Sequence, residues 1–171
     1  MQSIAIQLNT LSYSQAKTYW VAAAFVLGNV LVPQLFHSIP KGGMIFLPIY
    51  FFTLVGAYKY GWKVGLLTAI ASPLINSALF GMPVAAVLPI ILVKSTLLAL
   101  AAGYAATYFK RVSIFIMMLV VLSYQVVGTL AEWWMVGDFY VALQDFRLGI
   151  PGLLIQMVGG FLFVKYLIGK S

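Results

Sequence analysis

The sequence has no cysteine and few charged residues. None of its 171 residues is cysteine, and charged side chains make up only 8% of the chain. The absence of cysteine excludes disulfides, thiolate metal sites and cysteine nucleophiles. A soluble domain carries roughly a quarter charged residues, so this chain could not cover its surface with polar groups. With 63% hydrophobic residues, it is predicted to be an all-α membrane protein.

Residue types that build catalytic or metal centres are also scarce. His37 is the only histidine, and the three acidic residues lie far from it in the chain. The sequence has no nucleophile elbow, phosphate loop or intramembrane-protease signature. We therefore expect no enzyme activity, no metal and no cofactor. The net charge of +7 is spread between apolar runs, which indicates membrane orientation and not nucleic-acid binding.

The apolar runs predict a single domain, residues 1–171, with six transmembrane helices. A span needs about 20 mostly apolar residues. The predicted spans are Lys17–Phe36, Met44–Tyr58, Trp62–Phe80, Val84–Phe109, Val112–Met135 and Arg147–Ile168. The second is short, so we expect it to be tilted or to begin within the preceding loop. Residues 1–16 are predicted to form a short lead-in near the inner surface, and Val136–Phe146 the longest loop.

The distribution of basic residues predicts that both termini are cytoplasmic. With the N-terminus inside, the cytoplasmic ends of the spans hold Lys17, Lys59, Lys63, Lys110, Arg111, Lys165 and Lys170. The opposite side holds only Lys41 and Arg147. This is a strong positive-inside bias. The predicted topology also places all seven prolines in the outer half or in outer loops, where they either mark helix ends or form a cavity.

Lys94 is the most informative single residue. It lies about ten residues into the fourth predicted span, where a charge costs about 2.5–3.5 kcal/mol on insertion scales. It should therefore face the protein interior. Two interpretations remain open, namely a structural ion pair with Glu132 or a counter-charge for an anionic group of a bound solute.

Other polar side chains recur at helical spacing. The repeats are Thr68, Ser72 and Asn76; Gln125, Gly128, Thr129 and Glu132; and Gly152, Gln156 and Gly160. Such stripes serve helix packing, or their larger members converge with Lys94 on a pocket open to the outside. The candidate substrate-binding residues are Lys94, Glu132, Asn76, Gln125, Gln156, Tyr124, Trp133 and His37. Tyr124 and Trp133 are candidates for stacking on a planar ligand, although the tryptophan also suits an interface anchor.

Three segments resemble the substrate-binding S components of energy-coupling factor (ECF) transporters. They read LPIYFFTLVGAYKYGWKVGLLTAI, LPIILVKSTLLALAAGYAA and GIPGLLIQMVGGFLFVKYL. The resemblance implies a bundle like that of the S components in the bacterial cytoplasmic membrane. It implies that a vitamin or related micronutrient is bound from outside with high affinity. It also implies docking onto a transmembrane coupling subunit attached to two ATPase subunits. In the family, small residues on the first helix make that contact, and Ala24 and Gly28 match their spacing.

Two other classes of function compete with solute capture. An autonomous secondary transporter or channel would need no partner, but the sequence shows no internal repeat of the kind that many such folds use. A structural or regulatory subunit would have no use for a mid-membrane charge. Substrate identity is open. Lys94 gives a weak preference for an anionic compound, and the aromatic residues favour a planar ring.

Overall fold

The computed structural model describes residues 4–5, 8–36 and 38–168, and these are almost entirely helical. The first six helices are α1 (Ala16–Phe36), α2 (Gly42–Phe46), α3 (Phe51–Tyr60), α4 (Trp62–Phe80), α5 (Leu88–Phe109) and α6 (Ile114–Val136). Two short helices follow, α7 (Phe139–Ala142) and α8 (Gln144–Leu148). The last helix consists of α9 (Ile150–Leu154), a π-helical segment Ile155–Gly159, α10 (Gly160–Leu162) and a second π-helical segment Phe163–Ile168.

Four of these helices, α1, α4, α5 and α6, are long and apolar enough to cross a membrane. A fifth crossing is possible if Phe139–Leu148 and Ile150–Tyr166, which are bent by 57°, count as one span. The described chain is therefore an all-α protein with four to five candidate spans, as expected of a multi-pass membrane protein. The predicted ends of the third span, Trp62 and Phe80, are those of α4.

The second predicted span is broken at Leu47 and not continuous from Met44. Leu47 adopts the left-handed conformation (φ 47°, ψ 43°) between α2 and a 3-10 turn formed by Pro48–Tyr50. Pro48 lacks the backbone N–H that would continue α2, but it suits the first position of a new helix. Helix α3 alone is only about 15 Å long at 1.5 Å per residue.

The region after α6 also differs from its prediction. Helices α7 and α8 occupy most of the predicted loop Val136–Phe146, and the last helix starts at Ile150 and not at Arg147. The Asp138 carboxylate caps α7 by accepting hydrogen bonds from the Tyr140 and Val141 amides, at 2.8 and 3.2 Å. Such capping satisfies the free N–H groups that begin a helix. A local polar residue therefore starts a helix where composition predicted a loop.

The N-terminal segment packs at the end of the bundle that holds the α3–α4 and α5–α6 turns. Strand β1 (Ile4–Ala5) pairs antiparallel with β2 (Arg111–Val112). The amides of Asn9 and Leu11 donate to the carbonyls of Lys59 and Tyr60, at 3.2 and 3.0 Å. We call this end, which carries Lys59, Lys63, Lys110 and Arg111, the basic end. The described residues of the predicted lead-in are thus held to the bundle, in part as a strand.

Helix α3 lies at the centre of the bundle. Its buried side chains pack with small residues of α5, among them Ala99 and Ala102. On α4, a Cβ at Gly65 would overlap Ala57 and lie 3.1 Å from the Cβ of Ala99. Small residues at such crossings let helices approach closely, which is how helices pack in a membrane.

Candidate functional site

A buried ion triad joins α5, α6 and α8. The Lys94 ammonium lies 2.5 Å from a carboxylate oxygen of Glu132 and 2.5 Å from one of Asp145. The Lys94 side chain is 1% exposed, whereas those of Glu132 and Asp145 retain 13% and 20% exposure. The pair with Glu132 is one of the two interpretations that the sequence left open. Asp145 is a second partner that sequence reasoning missed, because it was assigned to a loop.

The glycine at position 128 makes room for the lysine. A Cβ built on Gly128 would lie 2.7 Å from the Cγ of Lys94. The Lys94 stem therefore lies directly on α6, and its ammonium reaches Glu132 one turn further along the same helix face. Asp145 joins the triad from α8, which packs against α2 and α9.

Uncharged polar side chains lie beside the triad. Gln125 and Thr129 share the α6 face of Gly128 and Glu132 by their spacing, and both are buried. Among the described residues, neither the oxygen nor the nitrogen of the Gln125 amide has a hydrogen-bond partner, nor does the Thr129 hydroxyl. Buried polar groups are usually paired, so these atoms distinguish the site from ordinary helix packing.

Two tyrosines and a glutamine complete the cluster. The Tyr124 hydroxyl donates to Oε1 of Gln156 at 2.9 Å, which leaves Nε2 of Gln156 without a partner in the described chain. The ring centroids of Tyr124 and Tyr50 are 5.7 Å apart. Tyr50 is buried as well. We call Lys94, Glu132, Asp145, Gln125, Thr129, Tyr50, Tyr124 and Gln156 the triad site.

Irregular backbone surrounds the triad site. Tyr50 ends the 3-10 turn that follows the break at Leu47, and Gln156 lies in the first π-helical segment. Breaks in regular α-helix are tolerated at membrane depth where they are buried in protein or border a cavity, and π-helical turns are frequent at functional sites. Pro48, which starts this 3-10 turn, lies two residues before Tyr50.

Two other predicted binding residues lie apart from the triad site. Asn76 hydrogen-bonds to the Asn29 carbonyl and the Ser72 carbonyl, at 2.9 and 3.0 Å. Trp133 is 45% exposed and packs edge-on against Phe139 of α7 at 5.3 Å. His37 lies outside the described residues. The structure therefore brings together Lys94, Glu132, Gln125, Gln156 and Tyr124 from the predicted set.

Asn76 belongs to a separate network between α1, α3 and α4. The Asn29 side chain donates to the hydroxyls of Thr53 and Ser72, at 3.0 and 3.2 Å, and accepts from the Phe52 amide at 3.1 Å. Asn29 thereby satisfies a free N–H at the start of α3. Its role is structural, and sequence reasoning missed it. A lone amide in an apolar span is a signal that could have revealed it.

The predicted docking residues on α1 differ in their surroundings. Ala24 is exposed on the outside of the bundle. A Cβ on Gly28, in contrast, would meet the Phe52 ring at 2.8 Å. Gly28 therefore faces α3, and its small size serves packing within the chain. The exposed face of α1 instead carries large apolar residues, including Leu27, Leu31 and Leu35.

The triad site offers charges, hydrogen-bonding groups and aromatic rings, which are the components of a solute-binding site. The described residues contain no group of three or more His, Asp or Glu side chains that could hold a metal ion. No family model, curated protein or solved structure matches the chain.

Proposed function

We propose that the chain is a membrane-embedded solute-binding protein that captures a small micronutrient from outside and delivers it inward with an ATP-driven coupling module. The observation that carries the proposal is the triad site. Lys94 is buried with two carboxylates, and several buried polar atoms beside it have no partner in the described chain. An intramembrane charge is expensive, and the resemblance of the sequence to S components of ECF transporters supplies a use for it.

The proposal includes six spans with both termini in the cytoplasm of a bacterial cell. In this topology residues 42–60 cross the membrane as a broken second span, which runs from the end of α1 through α2, the 3-10 turn and α3 to the basic end. Helices α7 and α8 and the bent last helix supply the sixth. The basic end then faces the cytoplasm, as the positive-inside rule requires, and the acidic residues of the triad lie toward the outside.

Single-cysteine labelling tests this topology, since the chain has no native cysteine. Ser14, Ser38, Thr107 and Tyr140 are exposed positions for the substitution. Cysteines at Ser38 and Tyr140 should react with an impermeant maleimide added to intact cells. Cysteines at Ser14 and Thr107 should react only after the membrane is opened. Labelling of Ser38 and Ser14 from the same side would contradict the topology.

Docking onto a transmembrane coupling subunit with two ATPases would use the exposed face of α1. Ala24→Leu should then impair coupled uptake and leave solute binding intact, because the Ala24 side chain points away from the bundle. Gly28→Leu is not a clean test, since its side chain would displace the Phe52 ring. Equal loss of binding and uptake in Ala24→Leu would refute the docking role of this face.

Capture itself is tested by purifying the chain and identifying any solute that comes with it by native mass spectrometry. Uptake of that solute should depend on the ATPases of the host cell. Glu132→Gln should lower its affinity, whereas Thr107→Ala, on an exposed part of α5, should not. A protein that carries no solute and supports no uptake would contradict the proposal.

A second candidate is an autonomous secondary transporter or channel. The observation that favours it is the triad itself, because paired ionisable residues within membrane helices also form ion pathways. Uptake into proteoliposomes that contain this chain alone would favour this second function over ATP-driven capture.

A further inference from the structure

The charge of the triad site is not balanced. Lys94 contributes one positive charge, and Glu132 and Asp145 contribute two negative ones. These are the only salt bridges among the described residues. Arg147, two residues after Asp145, is exposed and forms no ion pair with Glu132 or Asp145 in the described chain. With both acids ionised, the site carries one negative charge in excess.

This imbalance bears on the role of Lys94. An ammonium has three N–H donors, and two of them already reach carboxylate oxygens. Without any solute, two negative carboxylates therefore already lie against its one positive charge. An anionic group brought next to Lys94 would also meet the two carboxylates, and like charges in a poorly solvated site repel strongly. The weak preference for an anionic solute, which rested on Lys94 alone, is not favoured by this geometry.

The unpartnered amides provide an independent observation. The Gln125 side chain is fully buried, and both of its polar atoms lack a partner in the described part of the chain. Nε2 of Gln156 and the hydroxyl of Thr129 are in the same situation. An amide oxygen accepts and an amide nitrogen donates. A solute that satisfied both kinds of atom would carry a hydrogen-bond donor and an acceptor.

We propose that the triad site binds a solute with a cationic nitrogen and a hydrogen-bond acceptor beside it. The cationic nitrogen pairs with the negative charge of the two carboxylates that Lys94 does not neutralise. The acceptor accepts a hydrogen bond from the side-chain amide nitrogen of Gln125 or Gln156. The rings of Tyr50 and Tyr124 add favourable contact, because aromatic faces attract cations. This assignment rests on the proposed capture function and specifies the chemical class of its solute.

Three probes of nearly the same shape test the cationic part of the assignment, namely benzamidinium (cationic), benzamide (neutral) and benzoate (anionic). Binding is measured on the purified full chain in nanodiscs, by the shift of thermal unfolding at constant ionic strength. Benzamidinium should stabilise the protein at concentrations at least tenfold lower than either of the other two. Equal or tighter binding of benzoate, or no response to benzamidinium at 10 mM, would overturn the assignment.

Charge variants locate the effect. Glu132→Gln removes the excess charge but leaves the Lys94–Asp145 pair, so it should fold and bind benzamidinium at least tenfold more weakly. Asp138→Asn is the matched control, because it removes one exposed carboxylate outside the triad and keeps a side chain that caps α7. If both variants bound benzamidinium equally weakly, the effect would come from the general surface charge. That result would overturn the assignment.

Lys94→Gln separates the cationic from the anionic solute. It removes the internal competitor for the carboxylates, so benzamidinium should bind at least as tightly as to the parent chain. If Lys94 held an anion, this variant would instead lose benzoate binding.

ATPase-dependent uptake is measured separately. Cation preference without such uptake would leave the charge assignment standing and refute the capture function. Coupled uptake of a solute by a chain that prefers benzoate would refute the charge assignment alone.

Discussion

Replacing Lys94 with methionine should destabilise the protein far more than neutralising either of its acidic partners. The stem of Lys94 packs on Gly128, and methionine can fill much of that space. The ammonium, however, is the positive charge that both carboxylates share at 2.5 Å. Its removal leaves Glu132 and Asp145 facing each other with no cation between them.

The structure sets the size of this effect. Breaking a buried ion pair by removing one partner costs about 3–5 kcal/mol. We expect about 3 kcal/mol for Lys94→Met, since Glu132 and Asp145 keep 13% and 20% of their side chains exposed and retain some hydration. In Glu132→Gln, Lys94 keeps its bond to Asp145, and the loss should be about 1 kcal/mol, in the range of a single hydrogen bond.

Equilibrium unfolding in mixed micelles, with increasing SDS and detection by tryptophan fluorescence, measures both free energies. The triple variant Lys94→Met, Glu132→Gln, Asp145→Asn is the decisive control. It has no unpaired charge in the triad, so it should recover most of the stability lost in Lys94→Met. Equal losses for Lys94→Met and Glu132→Gln, or no recovery in the triple variant, would refute the three-way pairing.

Two further predictions concern the packing around the site. Asn29→Leu should lower the free energy of unfolding by about 1–3 kcal/mol, because it leaves the partly buried Phe52 amide without its acceptor. An unchanged unfolding midpoint in the same SDS titration would contradict this. Gly152→Leu should lower both the unfolding temperature and solute affinity, since a Cβ there would lie 2.5 Å from the Phe46 carbonyl and push α9 away from α2. Gly43→Ala is the control, because a Cβ at Gly43 meets nothing within 4 Å. Equal losses of unfolding temperature and solute affinity in the two variants would argue against this packing.

Local sequence signals predicted the long helices well. The third predicted span coincides with α4, and the first starts one residue before its predicted beginning at Lys17. An apolar run of about 20 residues must satisfy its backbone groups internally in lipid, so composition and length are enough to define a helix there. The predicted start of the fifth span at Val112 was early by two residues, because β2 occupies Arg111–Val112 and Ser113 caps α6.

The irregular segments were predicted less well. The prolines indicated the part of the bundle in which regular helix would fail, but not that the break would come at Leu47. The sequence also did not predict α7 and α8, which lie in a predicted loop. A short helix depends on capping and on contacts with its neighbours as much as on its own composition. Its position therefore cannot be obtained from periodicity alone.

Composition and periodicity alone predict an all-α protein with helices apolar and long enough to cross a membrane, and they predict where those helices lie. They also predict that Lys94 faces the protein interior, because a charge at that depth is costly. The partners of Lys94 follow only from the way the helices pack. Asp145 reaches Lys94 across 51 positions of the chain, and Asn76 is drawn instead to Asn29 on α1. Both outcomes follow from how helices pack and fold back on one another, and spacing along a single helix carries no information about that.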